Sequence, residues 1–387
     1  MKHRGRRPSQ NQGRWLWVPI ACALLAPPSS LSAQTTNLNA TPAQMAQYLV
    51  KLAEYDAARA AYQVRANPYW AEVKARRAAR FAKRRAHRGV TLDDYVLTQP
   101  PEYTGPKKPI DPSSTTREVP VVADFLQAAA QQFDFVPEQP AREIDFKRAY
   151  ARVAAAAGLT KDQAVRVYAF EATGNGDYDL EAGQEFDRNA LAITTALGYN
   201  QLLSTNSVEL LAEQGRQFIE TLKSRAAEAS GTKRAALERK IAVLQKMVTF
   251  ARSVRDDWNV HERLGRTPKG LAIHALNLDI DIGPLLQAQK LMNSVNFARA
   301  RGYSQPLTAA ELEMMNLTGD GNGFDMVTMS PAMRTRVPTS NFFTQSGYEH
   351  NPVARKNNTA AALLSATDAV MDRETQLPGA RDLAASF

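Results

Sequence analysis

The amino-acid sequence predicts a mainly α-helical protein, and three observations carry that prediction. Apolar residues recur at helical spacing along much of the 387-residue chain. Helix start and stop signals bracket those stretches. Few stretches alternate with the period of a β-strand, and no fixed-period repeat is present.

The first element is an export signal over residues 1–33. Lys2, Arg4, Arg6, Arg7 and Arg14 come with no acid, an apolar run spans Trp15 to Ala26, and small residues lead to Ser32 and Ala33. Charged, apolar and small segments in that order mark a secretory leader. The apolar run is shorter than the roughly 20 residues of a membrane-spanning helix, so cleavage is expected over permanent anchoring. Pro19-Ile20-Ala21 before Cys22 lacks the leucine of a lipoprotein site. Cys22 is the only cysteine, so the processed chain has no disulfide and no thiolate metal site. The product is expected in the periplasm or outside the cell.

The second element, residues 34–98, is an alanine-rich basic helical arm, read as helix from Thr41 to about Arg88 with an interruption at Asn67-Pro68. Residues 34–90 hold 11 Lys or Arg against 3 acids, so the formal charge of +9 is concentrated there and in the leader. Lys74–Arg88 is the most basic stretch. One reading is a solvated helix or tail; the other is attachment to an anionic partner. In an exported protein that partner is a wall polymer or lipid headgroups rather than nucleic acid. Residues 99–120 form a linker or surface-hugging segment, because Pro100, Pro101, Pro106, Pro109 and Pro112 forbid regular structure.

From Val121 the pattern is helical to the end, about residues 121–387. Val121–Phe133 and Glu143–Ala157 come first, the latter closed by Gly158. A third helix opens at Thr160 with Gln163 three places on, a capping box, and ends near Gly174. Asn206 to about Ala229 and Thr232–Trp258 form a long hairpin about Ser230-Gly231. Pro284–Arg301 and Thr308–Met315 follow.

One carboxyl stands out. Ala164, Val167, Tyr168 and Glu171 share a helix face, so Glu171 extends an apolar stripe at the helix C-terminus. Partial burial and the negative end of the helix dipole both favour its protonated form, which suits a general acid. The competing reading is a structural carboxylate at the rim of a core helix.

The surrounding motifs tilt that balance. Phe170-Glu-Ala-Thr-Gly-Asn-Gly176, Ala196-Leu-Gly-Tyr-Asn-Gln-Leu-Leu-Ser-Thr205 and Glu313-Met-Met-Asn-Leu-Thr-Gly-Asp-Gly321, in that order, resemble three motifs of the lytic transglycosylase and goose-type lysozyme superfamily. The resemblance spans roughly residues 143–325. Ala172 stands where the family has serine, Tyr199-Asn200 where it has Leu-Met, and Met315 where it has tyrosine. It implies a lysozyme-like helical domain, with residues 206–258 as an inserted hairpin and a C-terminal extension after about 326. It implies cleavage of the β-1,4 bond between N-acetylmuramic acid and N-acetylglucosamine in peptidoglycan strands, with Glu171 as acid and base. Gly198, Tyr199, Gln201 and Asn316 would contact sugar or order the cleft, and no cofactor is required. A non-catalytic wall-binding or scaffold protein on the same fold is the alternative.

Other chemistries are weaker. Residues 173–179 and 318–325 are acidic glycine stretches in which calcium binding competes with simple turn formation. Phe342, Phe343 and Tyr348 either stack on sugars or pin a loop to the core. His261, His274 and His350 lack a second ligand at helical spacing, so no zinc site is inferred. No Gly-x-Ser-x-Gly elbow is present.

Overall fold

The computed structural model describes residues 40–114, 119–185 and 187–387. The expected leader, residues 1–33, lies outside the described residues. The protein is 66% helix, and among the described residues β-pairing is confined to isolated bridges such as Glu181–Leu197 and Leu197–Leu202, so the class is mainly α.

Helix α1 (Pro42–Arg85) begins at a full capping box, in which the Thr41 side chain accepts from the Gln44 backbone N–H and the Gln44 side chain accepts from the Thr41 N–H. It is 44 residues long, about 66 Å at 1.5 Å per residue. The interruption expected at Asn67-Pro68 does not occur: the helix runs through Pro68. Pro68 faces solvent, whereas Tyr62, Ala66, Trp70 and Val73 are buried against Met314, Leu317, Met326, Phe342, Phe343 and Tyr348. Each large apolar side chain buried there contributes about 1.5–3 kcal/mol, and together they outweigh the roughly 3 kcal/mol an internal proline costs. Pro68→Ala should therefore raise stability by about 2 kcal/mol once the proline's stiffening of the unfolded chain is subtracted. A denaturant titration reads this; an unmoved midpoint would mean the proline imposes no strain on α1.

The basic arm is thus not a free tail. It shares a hydrophobic cluster with residues 314–363 and anchors there through charge as well. Phe342, Phe343 and Tyr348 belong to this cluster and pin the loop to the core. The proline-rich segment has no regular structure from residue 99 to 111 and lies along α1, where Tyr69 donates to the Thr98 carbonyl at 3.0 Å and the Tyr62 hydroxyl lies 3.3 Å from the Pro101 carbonyl.

The remaining helices form two further cores. Helices α2 (Val122–Phe133), α5 (Ser204–Glu228), α6 (Gly231–Ala251) and α8 (Pro268–His274) enclose Phe125, Leu211, Phe218, Leu244 and Ile273. Between α6 and α8 lies α7 (Trp258–Gly265); the second hairpin helix stops at Ala251 instead of running to Trp258. The α5–α6 hairpin, expected as an insertion, supplies much of this core.

Helices α3 (Glu143–Ala157), α4 (Lys161–Glu171), α9 (Gly283–Ala300) and α10 (Ala309–Thr318) enclose Tyr150, Tyr168, Phe170, Leu291 and Met315. The local signals explain their ends. Gly158 takes φ 99° after α3, and Thr160 with Gln163 caps α4 reciprocally. Residues 318–325 are not an open loop: Asp320–Val327 is helix α11. The C-terminal helices Ala360–Glu374 and Pro378–Ala385 return to pack on α4.

Candidate active site

Glu171 is the last residue of α4 and is 1% exposed. The chain turns sharply beyond it. Thr173 has φ 49°, unusual for a β-branched residue, and Gly174 has φ 65°. A Cβ on Gly174 would come within 2.2 Å of the Glu374 carbonyl, so the position requires glycine. The C-terminal helix buttresses this turn: the Ala380 N–H donates to the Gly174 carbonyl at 2.7 Å, and the Gly379 N–H to Asn175 Oδ1 at 3.0 Å.

Asn316, on α10, meets Glu171. Its Nδ2 donates to Glu171 Oε1 at 2.9 Å and lies 3.4 Å from Glu313 Oε2. Glu313 is fully buried one helical turn before Asn316 and is hydrogen-bonded to Glu171. Burial first, then the charge of Glu171 and the hydrogen bond to it, push the Glu313 carboxyl well above the usual carboxylate range. Two carboxylates so close and so buried do not both ionise, so the pair retains a proton toward neutral pH. Glu313 Oε1 and Asn316 Oδ1 are buried with no hydrogen-bond partner among the described residues.

Further charged groups gather around the pair. Lys290 on α9 lowers the Glu313 carboxyl electrostatically, and does the same to Glu209 on α5 and Asp320 on α11. Glu209 and Asp320 keep some solvent contact while protein surrounds them closely. Burial, followed by the charges of Glu213, Asp320 and Asp256, pushes Glu209 up to about 8. Asp320 is also raised, by burial, and accepts from Ser294 Oγ at 2.6 Å. Clefts of about 1040, 410 and 590 Å³ lie elsewhere, and Glu171 lines none of them.

The other residues expected to touch sugar are placed differently. Gly198, at φ 79°, sits against Gln287, whose Nε2 would lie 2.7 Å from an added Cβ. Tyr199 is fully buried and donates to Glu143 Oε1. Gln201 Nε2 donates to the carbonyls of Gly198 at 2.9 Å and Leu180 at 3.1 Å. These three are buried and hold their loop to the core through the contacts just given. Met315, at the tyrosine place of the motif, is likewise buried.

The acids of the two glycine stretches face cations of the chain itself. Asp177 and Asp179 pair with Arg188, and Asp325 is held by Arg80 and Arg84. Among the described residues, no group of three or more His, Cys, Asp or Glu is placed to hold a metal. His274 is buried, with Nδ1 2.8 Å from Ser207 Oγ and Nε2 2.7 Å from the Thr195 carbonyl, and burial lowers it to about 4. The Lys74–Arg88 charges are largely occupied too. Arg76 and Arg77 donate to backbone carbonyls, Lys83 pairs with Asp94, and Arg80 and Arg84 pair with Asp325.

The pair leaves a signature in stability. The native state keeps the Glu313 proton at pH values where the unfolded chain, near 4.5, releases it. This contribution is complete below about 4.5 and is lost as pH climbs toward the folded value. Glu209 acts in the same sense up to about 8. His274 acts oppositely: its contribution is present above 6.5 and lost as pH falls toward 4. The raised carboxyls therefore impose a decline as pH rises above about 4.5, at most about 1.4 kcal/mol per unit for each proton. Glu313→Gln should flatten that decline, as measured by urea unfolding across the range. A slope identical to the parent protein's would show that Glu313 carries no such proton.

Comparisons of the chain with protein-family models, with curated proteins and with solved structures find no match.

Proposed function

We propose that this is an exported peptidoglycan-cleaving enzyme of lytic transglycosylase type, with Glu171 as its single acid and base. The observation that carries the proposal is the buried, proton-retaining pair of Glu171 and Glu313 joined through Asn316. The pair holds one proton between two carboxyls, and when that proton passes from Glu313 to Glu171 it can be donated to a leaving oxygen. Glu171 protonates the oxygen bridging N-acetylmuramic acid to N-acetylglucosamine, and the C1–O bond breaks. The substrate's own N-acetyl oxygen stabilises the sugar cation, a substrate-assisted route. Glu171, now ionised, accepts the C6 hydroxyl proton as O6 bonds to C1, closing a 1,6-anhydro ring without water.

The 1% exposure of Glu171 favours the second reading, a wall-binding or scaffold protein without activity. Incubating the purified protein with peptidoglycan separates the two. Soluble anhydro-muropeptides support the enzyme. Co-sedimentation with peptidoglycan and no soluble product supports the binding protein.

A further inference from the structure

We propose that a second site, the groove between α1 and the proline-rich segment, binds an acidic glycan. Stretches far apart in sequence build it: Tyr55, Arg59 and Tyr62 from α1, Tyr103, Lys107 and Lys108 from the extended segment, and Glu349 with Arg355 from the 314–363 region that shares a cluster with α1. The cleft is about 590 Å³, within the roughly 300–1,000 Å³ of small-ligand sites.

Its floor is aromatic and fixed. Tyr103 meets Tyr62 edge-to-face with ring centroids 5.4 Å apart, and Tyr55 at 6.4 Å. The Arg59 guanidinium carbon lies 5.0 Å from the Tyr62 ring centroid and 4.7 Å from that of Tyr103, and the same group pairs with Glu349 at 3.0 Å. Tyr62 also donates to Glu349, at 2.8 Å. Glu349 is therefore answered from inside the floor. At the rim, Lys107, Lys108 and Arg355 are exposed and outnumber the one rim carboxylate, Glu102.

Partly exposed tyrosine rings offer apolar faces to the C–H faces of sugars, and the cationic rim offers partners for acid groups. A neutral glycan would use the rings and leave the rim unpaired. A lipid surface would require the rings to protrude, whereas they line a cleft. Most of the Lys74–Arg88 cations are bonded internally, whereas Lys107, Lys108 and Arg355 face outward at this rim.

The test is calorimetric titration of the full chain with three probes: a hexameric oligogalacturonate, the neutral hexamer of N-acetylglucosamine, and vesicles of phosphatidylglycerol. The acidic oligosaccharide should bind saturably and more tightly than the neutral one. The Lys107→Glu/Lys108→Glu double variant should weaken it at least tenfold, and Tyr55→Ala should weaken both sugars. All the substituted side chains are partly or fully exposed, and circular dichroism verifies that the fold is kept. Glu171→Gln should bind as the parent does, which separates this site from the carboxyl pair. Absence of binding, equal affinity for the neutral hexamer, unchanged affinity in the lysine variant, or binding to vesicles alone would each overturn the proposal.

Discussion

Glu171→Gln should cut the release of anhydro-muropeptides from peptidoglycan by about 10²–10⁴-fold, the usual contribution of a positioned general acid. Glutamine keeps the shape of the side chain and an acceptor for Asn316 Nδ2, so the turn at Thr173 and Gly174 has no reason to move. What it lacks is a transferable proton. It also removes the charge that Glu171 carries whenever the shared proton rests on Glu313, so Glu313 should titrate lower and the variant should lose less stability with rising pH than the parent. Product release measured by chromatography, beside thermal melts at pH 6.5 and 8, reads both effects. A structural carboxylate would show the stability change without the loss of product. Full activity in the glutamine variant would end the assignment of Glu171 as the acid.

The helices were legible because their signals are local. Gly158 closes α3, and Thr160 with Gln163 opens α4, whatever the rest of the chain does. The meeting of Glu171 with Asn316, 145 residues apart, was accessible only through the order of the three motifs. Glu313 stood inside the third motif and went unmarked. Its signal was the i, i+3 spacing to Asn316, which puts both on one helix face. Spacing alone does not say which face of a motif turns inward, and Gly198, Tyr199 and Gln201, read as sugar contacts, are buried. The proline in α1 misled for a different reason: intrinsic propensity is a weak term against tertiary burial, and the cluster that overrides Pro68 comes mostly from residues beyond 313. Composition likewise counts charges without naming partners. The Lys74–Arg88 run reads as a tail until Asp325 is found against it, 245 residues from Arg80.

That contact sets the second large effect. Asp325→Ala should destabilise the protein by about 3–5 kcal/mol, the cost of leaving a buried charge without its counter-ion. Arg80 is 0% exposed and Asp325 1%; their side chains meet at 2.8 Å, and Tyr95 donates to Asp325 Oδ1 at 2.9 Å. Arg84 adds a second, partly exposed cation on the same carboxylate. Removing Asp325 leaves buried Arg80 without its counter-ion, with the carbonyls of Asp94 and Asn341 and the face of the Tyr95 ring left to it. The matched double variant, Arg80→Met with Asp325→Leu, should recover most of the loss, because the pair's desolvation offsets much of its attraction. Chemical denaturation measures both. A cost below about 1 kcal/mol for Asp325→Ala, the range of an exposed pair, would mean the clamp is solvated and dispensable. The clamp also bears on the site. Asp325 belongs to α11, which carries Asp320 and follows directly on the helix of Glu313 and Asn316. Freed from α1, α11 has fewer contacts to hold Asp320 near Lys290. Hydrogen exchange in Asp325→Ala should therefore quicken in α1 beyond Trp70 and in α11 before it does in α3 or α4. Uniform quickening across all four helices would show that the arm and the site open as one unit with the core.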